Sequence, residues 1–185
     1  MILEENQIKK IINLYRDKDF NEIKIIRKAT YNKRFISKIK KYLSEVFFNN
    51  HLEYFINEED YQCYEFEILM HDNQDILDDD VELMKKLNGK RKDLKIFISL
   101  LGNYYTLFYN FTFFNEMQNR WDFKIEKIIT DDEKVELIHQ KMRAYGFQFL
   151  GYPDLDIKFD EIEIECKDKG EVKLFHMLFT ELEKY

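Results

Sequence analysis

The chain has 185 residues, of which 45% are apolar and 16% aromatic, with five glycines and one proline. This composition excludes a disordered tail, a linker-rich protein and a collagen-like repeat, and the length suits one domain with a full hydrophobic core. The net charge is -7, and the charge is unevenly distributed along the chain. Residues 1–50 hold 12 Lys and Arg against 6 Asp and Glu, while residues 51–185 hold 17 Lys and Arg against 30 Asp and Glu. The acidic larger part argues against nucleic acid as a partner.

The first fifty residues are predicted to form helices. Ile8, Ile11 and Tyr15 recur at the spacing of one helical face, as do Phe35 and Ile39 further on. An irregular segment is expected between these two helices, near residues 20–30. The second helix carries basic residues that we interpret as a solvated outer face. They are Lys33, Arg34, Lys38, Lys40 and Lys41.

The apolar pattern changes to a period of two at Gln62. Phe66 alternates with Glu65 and Glu67, which predicts a strand with one apolar face and one partly wet face. A short helix is predicted to begin near Asp78 and to end at Gly89, because glycine readily adopts the left-handed conformation that closes a helix.

A hairpin and a third strand follow. Apolar residues occupy nearly every position from Leu94 to Leu101, which is typical of a strand covered on both faces. Gly102-Asn103 then predicts a tight turn, after which an aromatic run returns antiparallel. Trp121, Phe123 and Ile125 alternate with charged residues, which predicts the third strand of a meander.

The last part of the chain is predicted to form one helix and one strand. Thr130 and Glu133 have the spacing of a capping box, so a helix is expected over residues 131–145. Residues 172–179 are apolar at most positions and are predicted to form a closing strand.

These elements predict an α+β fold with a mostly antiparallel sheet of about five strands and helices packed on it. We expect one domain over residues 1–185, with a basic helical part at 1–50 and an acidic part with the sheet and further helices at 60–182. The core is expected to be one contiguous cluster. Its members should include Phe66, Ile68, Ile96, Ile98, Ile138 and Leu174.

The sequence predicts a cytoplasmic chain without a membrane partner. The longest apolar stretches are far shorter than the roughly 18 to 20 residues that span a bilayer. The amino terminus, MILEENQIKK, carries acids where a signal peptide needs bases. Cys63 and Cys166 lie far apart and form no metal-ligand cluster with a histidine, so we expect free thiols, no metal and no cofactor.

Two acidic clusters are the candidate partner-binding residues. The first contains Asp78, Asp79, Asp80 and Glu82, and the second contains Asp154, Asp156, Asp160 and Glu161. Neither has the glycine and terminal bidentate glutamate of an EF-hand loop, so a calcium site is not expected. Each cluster is either solvated charge or a recognition surface for a basic protein. The first is preferred, because its carboxylates should project from a helix.

The second cluster also overlaps a possible metal site. Pro153-Asp154 followed by Glu165, Cys166 and Lys167 resembles the PD-(D/E)XK signature, in which two acids hold Mg²⁺ beside a lysine. This implies a metal-dependent nuclease as an alternative function. An acidic segment contains such a spacing by chance, and no basic surface is available to hold DNA. We therefore predict no catalytic residue and no convergence of Asp154, Glu165 and Lys167.

The order of elements over residues 60–182 resembles that of small cytoplasmic immunity proteins of polymorphic toxin systems in low-GC Gram-positive bacteria. The resemblance lies in the YEFEI strand, the LKIFISLLGNYYTLFY hairpin, the WDFKIEKI strand, the helix that ends in YGF and the segment DEIEIECKDKGEVKLFHMLFTEL. It implies a non-enzymatic protein that neutralises a cognate toxin by stoichiometric binding. A structural or regulatory domain without a toxin partner is the remaining alternative.

Overall fold

One sheet positions every other element of the fold. The computed structural model describes residues 2–55, 63–71, 80–126, 132–164 and 167–179. Five antiparallel strands are neighbours in chain order, and a two-residue strand runs parallel to the start of the fourth. The strands are β1 (His51–Phe55), β2 (Cys63–Leu69), β3 (Lys90–Ser99), β4 (Tyr104–Asn115), β5 (Arg120–Glu126) and β6 (Gln148–Phe149). The predicted α+β class with a mostly antiparallel sheet is confirmed.

Seven α-helices lie within the described residues. They are α1 (Ile2–Arg16), α2 (Phe20–Thr30), α3 (Lys33–Val46), α4 (Asp80–Lys86), α5 (Glu133–Ala144), α6 (Tyr152–Leu155) and α7 (Leu174–Leu178). The segment expected to be irregular is the helix α2. Its amino-terminal cap is Asp19, whose side chain accepts a hydrogen bond from the backbone N–H of Glu22. This cap satisfies one of the free N–H groups of the first turn and helps the helix to start directly after the turn that ends α1.

The predicted closing strand is wrong, because residues 174–178 form α7. All five residues of this helix are buried. A short run that is apolar at most positions has the same sequence pattern in a buried strand and in a buried helix, so periodicity does not separate the two. Within residues 172–179, all of which the structure describes, Lys173 is the one residue that makes a β-bridge, and its partner is Lys158.

Helix α5 lies where the sequence predicts a helix, with Asp132 as its amino-terminal cap. The Asp132 carboxylate accepts hydrogen bonds from the backbone N–H groups of Lys134 and Val135, at 2.9 and 3.4 Å. Thr130, which was predicted to cap this helix, lies outside the described residues. Gly89 follows α4 with a φ of +75°, as the predicted helix end requires.

The sheet is buried on both faces, so the prediction of one contiguous core is wrong. One apolar cluster lies between the sheet and helices α3 and α5, and it contains Phe66, Ile68, Ile96, Ile98 and Ile138. The other lies on the opposite face beneath α1, α2 and α7, and it contains Leu174. Adjacent residues of a strand point to opposite faces, so each long apolar strand contributes to both clusters.

The second face of β2 was expected to be partly wet, and the structure shows it covered. Glu65 is buried there, and its carboxylate accepts a hydrogen bond from the Lys95 ammonium at 3.1 Å. Lys95 lies on the neighbouring strand β3, where its side chain is also mostly buried. Helices α1, α2 and α7 and the chain segment after β6 cover this face. Because the buried carboxylate is removed from water, it needs a cation within the protein as a partner.

Candidate protein-binding surface

The second acidic cluster lies on a segment, residues 152–173, whose described residues (152–164 and 167–173) are fixed to the protein core. This segment buries four apolar side chains, Leu155, Ile162, Ile164 and Val172. Its two ends are joined by backbone hydrogen bonds, from Phe159 N–H to the Val172 carbonyl at 2.9 Å and from Leu174 N–H to the Ile157 carbonyl at 3.0 Å. The carboxylates are therefore displayed from a backbone that is held in place, although most of it is neither helix nor strand.

Two of the four predicted residues in this cluster form ion pairs within the protein. Asp156 lies 2.6 Å from the ammonium of Lys173 at the other end of the segment. Glu161 lies 2.9 Å from the guanidinium of Arg16, the last residue of α1. A hydrogen bond from its own backbone N–H and the Arg16 cation lower the pKa of the Glu161 carboxyl. These two acids help to hold the segment against the rest of the protein.

A third carboxylate strengthens the same attachment. Glu163, two residues after Glu161, forms a salt bridge with Lys18 beyond the end of α1. The pKa of Glu163 is lowered by this hydrogen bond and by the charge of Lys18. Because all four side chains of the two pairs are about half exposed, each pair contributes little to folding stability by itself. Together they fix which carboxylates point away from α1.

The other two predicted residues, Asp154 and Asp160, are exposed. Asp154 lies on α6, directly before the buried Leu155, and Asp160 lies in the turn that follows Phe159. Within the described part of the chain, neither carboxylate forms a salt bridge. They are therefore the members of the second cluster whose charge is available to a partner.

The first acidic cluster falls mostly outside the described residues. Asp78 and Asp79 are not described, Asp80 is the first residue of α4, and Glu82 is exposed on that helix. Helix α4 is anchored by the buried side chain of Leu83. Binding through this cluster stays a prediction. It was preferred because its carboxylates should project from a rigid helix, but the described backbone of residues 152–173 is also held in place.

The nuclease-like signature is only partly described. Asp154 lies on the short helix α6, and Lys167 forms an isolated bridge with Ile164. The proposed metal ligand Glu165 lies outside the described residues. Among the residues that the structure describes, no group of three or more His, Cys, Asp or Glu side chains could hold a metal ion.

Sequence reasoning missed a second buried ion pair, on the same face of the sheet as Glu65 and Lys95. Asp93 on β3 is completely buried and accepts a hydrogen bond from the Arg91 guanidinium at 2.8 Å. Burial raises the pKa of the Asp93 carboxyl to about 6, although the Arg91 cation opposes this shift. The available signal was the alternation of charged with apolar residues in β2 and β3, but such alternation is also typical of a strand with one solvent-exposed face.

A tyrosine-histidine pair was also missed. The Tyr105 hydroxyl on β4 lies 2.6 Å from Nδ1 of His139 on α5, and the Phe149 ring contacts both. Burial raises the pKa of Tyr105 to about 12 and lowers the pKa of His139. Both groups are therefore neutral near pH 7, and the contact acts as a polar link between helix and sheet.

Comparisons with known proteins give no relative. The chain matches no model of a known protein family, no curated protein sequence and no solved structure. Among the described helices, none combines the length and the apolar character that crossing a bilayer would require. These comparisons therefore assign no function to the candidate surface.

Proposed function

We propose that this chain is a non-enzymatic protein-binding module that neutralises a toxin by stoichiometric binding. The observation that carries the proposal is the fixed display of two exposed carboxylates, Asp154 and Asp160, on residues 152–173. The toxin is proposed from the resemblance in element order to immunity proteins, and the binding surface is proposed from the geometry.

The fixed backbone makes these carboxylates suitable for binding. Buried Leu155, Ile162 and Val172 already hold the segment in place. Its backbone therefore loses little conformational freedom when a partner binds to the carboxylates. Arg16 and Lys18 neutralise Glu161 and Glu163. Of the four acids in the second cluster, Asp154 and Asp160 are therefore the ones whose charge can attract a basic partner.

The overall charge supports the same kind of partner. Residues 51–185 carry 17 Lys and Arg against 30 Asp and Glu, and such an acidic surface accelerates encounter with a basic protein. A nuclease toxin is basic where it holds phosphate, so a carboxylate surface can occupy the site that nucleic acid would use. We therefore propose a basic toxin domain, and a nuclease in particular, as the partner.

The proposal expects the gene of a toxin beside the gene of this chain, and the test is co-expression with that toxin domain, followed by co-purification and a growth assay. The wild-type chain should form a stable complex and protect the cells. The double variant D154K/D160K should lose most of the complex and the protection, while its far-ultraviolet circular dichroism spectrum and melting temperature stay close to wild type, because exposed charges contribute little to stability.

A matched control separates the proposed surface from net charge. The double variant E45K/E133K changes the net charge by the same amount, but its substitutions lie on α3 and α5, across the sheet from residues 152–173. It should bind and protect like the wild type. Equal loss in both variants would indicate a net-charge effect, and full binding by D154K/D160K would rule out this surface.

A further inference from the structure

The strand β5 is the last strand at one side of the described sheet. Within the described part of the chain it pairs only with β4, in an unbroken antiparallel register from Tyr109 opposite Glu126 to Asn115 opposite Arg120. Phe123, at the centre of β5, is 70% exposed. An edge strand with free backbone groups and an exposed aromatic side chain is a template for another strand.

The backbone groups at this edge can be assigned. The Phe114 N–H donates to the Gly89 carbonyl, on the β3 side of β4, at 2.9 Å. Successive residues of a strand direct their backbone N–H and C=O groups to opposite sides of the strand. The backbone groups of the odd-numbered β4 residues therefore point toward β5, and those of their even-numbered β5 partners point toward β4. The β5 residues whose N–H and C=O groups point away from the sheet are Trp121, Phe123 and Ile125.

The side chains of β5 have an unusual charge order. The sequence Arg-Trp-Asp-Phe-Lys-Ile-Glu is antisymmetric in charge about Phe123, since each cation lies as far from the centre as an anion on the other side. The four charged side chains share one face of the strand, and neighbours along it are paired. Arg120 lies 2.8 Å from Asp122, and Lys124 lies 2.6 Å from Glu126.

We propose that two copies of this chain associate by antiparallel pairing of β5 with β5, about a two-fold axis at Phe123. The two sheets then form one continuous sheet, and the outward-facing backbone groups supply about six hydrogen bonds across the junction. Every charged side chain lies opposite its complement. The opposed pairs are Arg120 with Glu126, Asp122 with Lys124, Trp121 with Ile125, and Phe123 with its own copy.

The charge order selects this register over the others. Sliding one strand by two residues in either direction places like charges opposite each other, Asp122 against Asp122 or Lys124 against Lys124 at the centre. Parallel pairing in register does the same at all four charged positions. A slip of one residue brings the charged face of one strand onto the apolar face of the other. Like charges directly opposite each other are unfavourable. Among the antiparallel registers that overlap at least five residues of β5 and keep the charged faces together, only the proposed register is free of them.

The same residues explain why the edge is selective. Charged side chains on an edge strand, lysine above all, normally prevent pairing with an arbitrary strand. In β5 that protection is cancelled only by a partner with the complementary order, which a second copy supplies. The contact is one strand wide, so the dimer should be reversible and dependent on concentration.

The experiment is sedimentation equilibrium over a range of protein concentrations. The wild type should show a monomer-dimer equilibrium. D122K places a lysine opposite Lys124 of the other copy, and K124D places an aspartate opposite Asp122, so each variant should weaken self-association by about tenfold or more. The control E45K makes the same charge change as D122K on α3 and should dimerise like the wild type.

Mixing the two variants provides the decisive arm. In a D122K–K124D pair every opposed position again carries opposite charges, so an equimolar mixture should recover the dimer, which also shows that both variants are folded. The proposal is overturned if the wild type stays monomeric throughout, if the single variants dimerise as well as the wild type, or if the mixture fails to recover the dimer.

Discussion

The buried Asp93 should make folding stability fall as pH rises, and the substitution Asp93→Asn should remove that dependence. The Asp93 carboxyl is completely buried, and burial raises its pKa from an ordinary 3.8 to about 6 against the opposing effect of Arg91. A raised pKa means that the folded protein holds the proton more tightly than the unfolded chain does. The stabilisation is therefore complete below pH 3.8 and is lost as pH rises through about 6.

The size of the effect follows from the same values. Each pH unit between the two pKa values corresponds to about 1.4 kcal/mol, so the group changes the free energy of unfolding by about 3 kcal/mol over the full window. About half of this change, roughly 1.4 kcal/mol, falls between about pH 5 and pH 7.5. The asparagine side chain of the D93N variant does not titrate and can still accept the hydrogen bond from Arg91.

Urea denaturation of both proteins at several pH values measures the effect. The free energy of unfolding of the wild type minus that of D93N should decrease by about 1.4 kcal/mol from about pH 5 to pH 7.5, whereas other titrating groups cancel in the difference. D168N, a substitution on an exposed turn, should track the wild type over the whole range. Parallel curves for the wild type and D93N would refute the assignment of a raised pKa to this carboxyl.

Three further substitutions test the packing and the polar links. Ile98→Ala should lower the free energy of unfolding by about 2 to 5 kcal/mol through lost burial and a residual cavity. The control Ile25→Ala, at a 61% exposed position, should change it little. Equal melting temperatures for the two variants would contradict the burial assigned to Ile98. Lys95→Met should cost about 3 to 5 kcal/mol in urea denaturation, because it removes the ammonium that bonds the buried Glu65 carboxylate, and a loss below about 1 kcal/mol would count against this. Asp132→Ala should cost about 0.5 to 2 kcal/mol in thermal unfolding by removing the α5 cap, and an unchanged stability would show that the cap is replaceable.

The central hairpin was predictable because local pattern and turn chemistry agree there. Apolar residues fill both faces of β3, the turn at residues 100–103 contains a glycine and an asparagine, and β4 returns in register. The five-residue β1 was not predicted, because too few residues alternate to show a period. Strand β6 is two residues long and depends on its tertiary position beside β4.

The errors share one physical cause, which is that a second layer covers the sheet. Residues 174–178 are buried on all sides, so they show no helical period and were predicted as a strand. Glu65 was predicted to be partly wet because a carboxylate is usually solvated, whereas Lys95 on the next strand compensates its burial. A single sequence gives no direct sign of a second layer that is assembled from distant segments.

The candidate surface was predictable by composition but not by residue. The acidic cluster at residues 154–161 is evident in the sequence. Which of its members are available to a partner depends on Arg16 and Lys173, which lie far away along the chain and pair with Glu161 and Asp156. Only the folded structure distinguishes these two ion-paired acids from Asp154 and Asp160.

The central claim is that exposed carboxylates on residues 152–173 attract and bind a basic protein, and the rate of association at several salt concentrations tests it most directly. With the proposed toxin domain as the partner, the wild-type rate should fall steeply as salt is added. D154K/D160K should associate more slowly at low salt and depend less on salt, and E45K/E133K should follow the wild type. Equal rates and equal salt dependence for the wild type and D154K/D160K would contradict the claim.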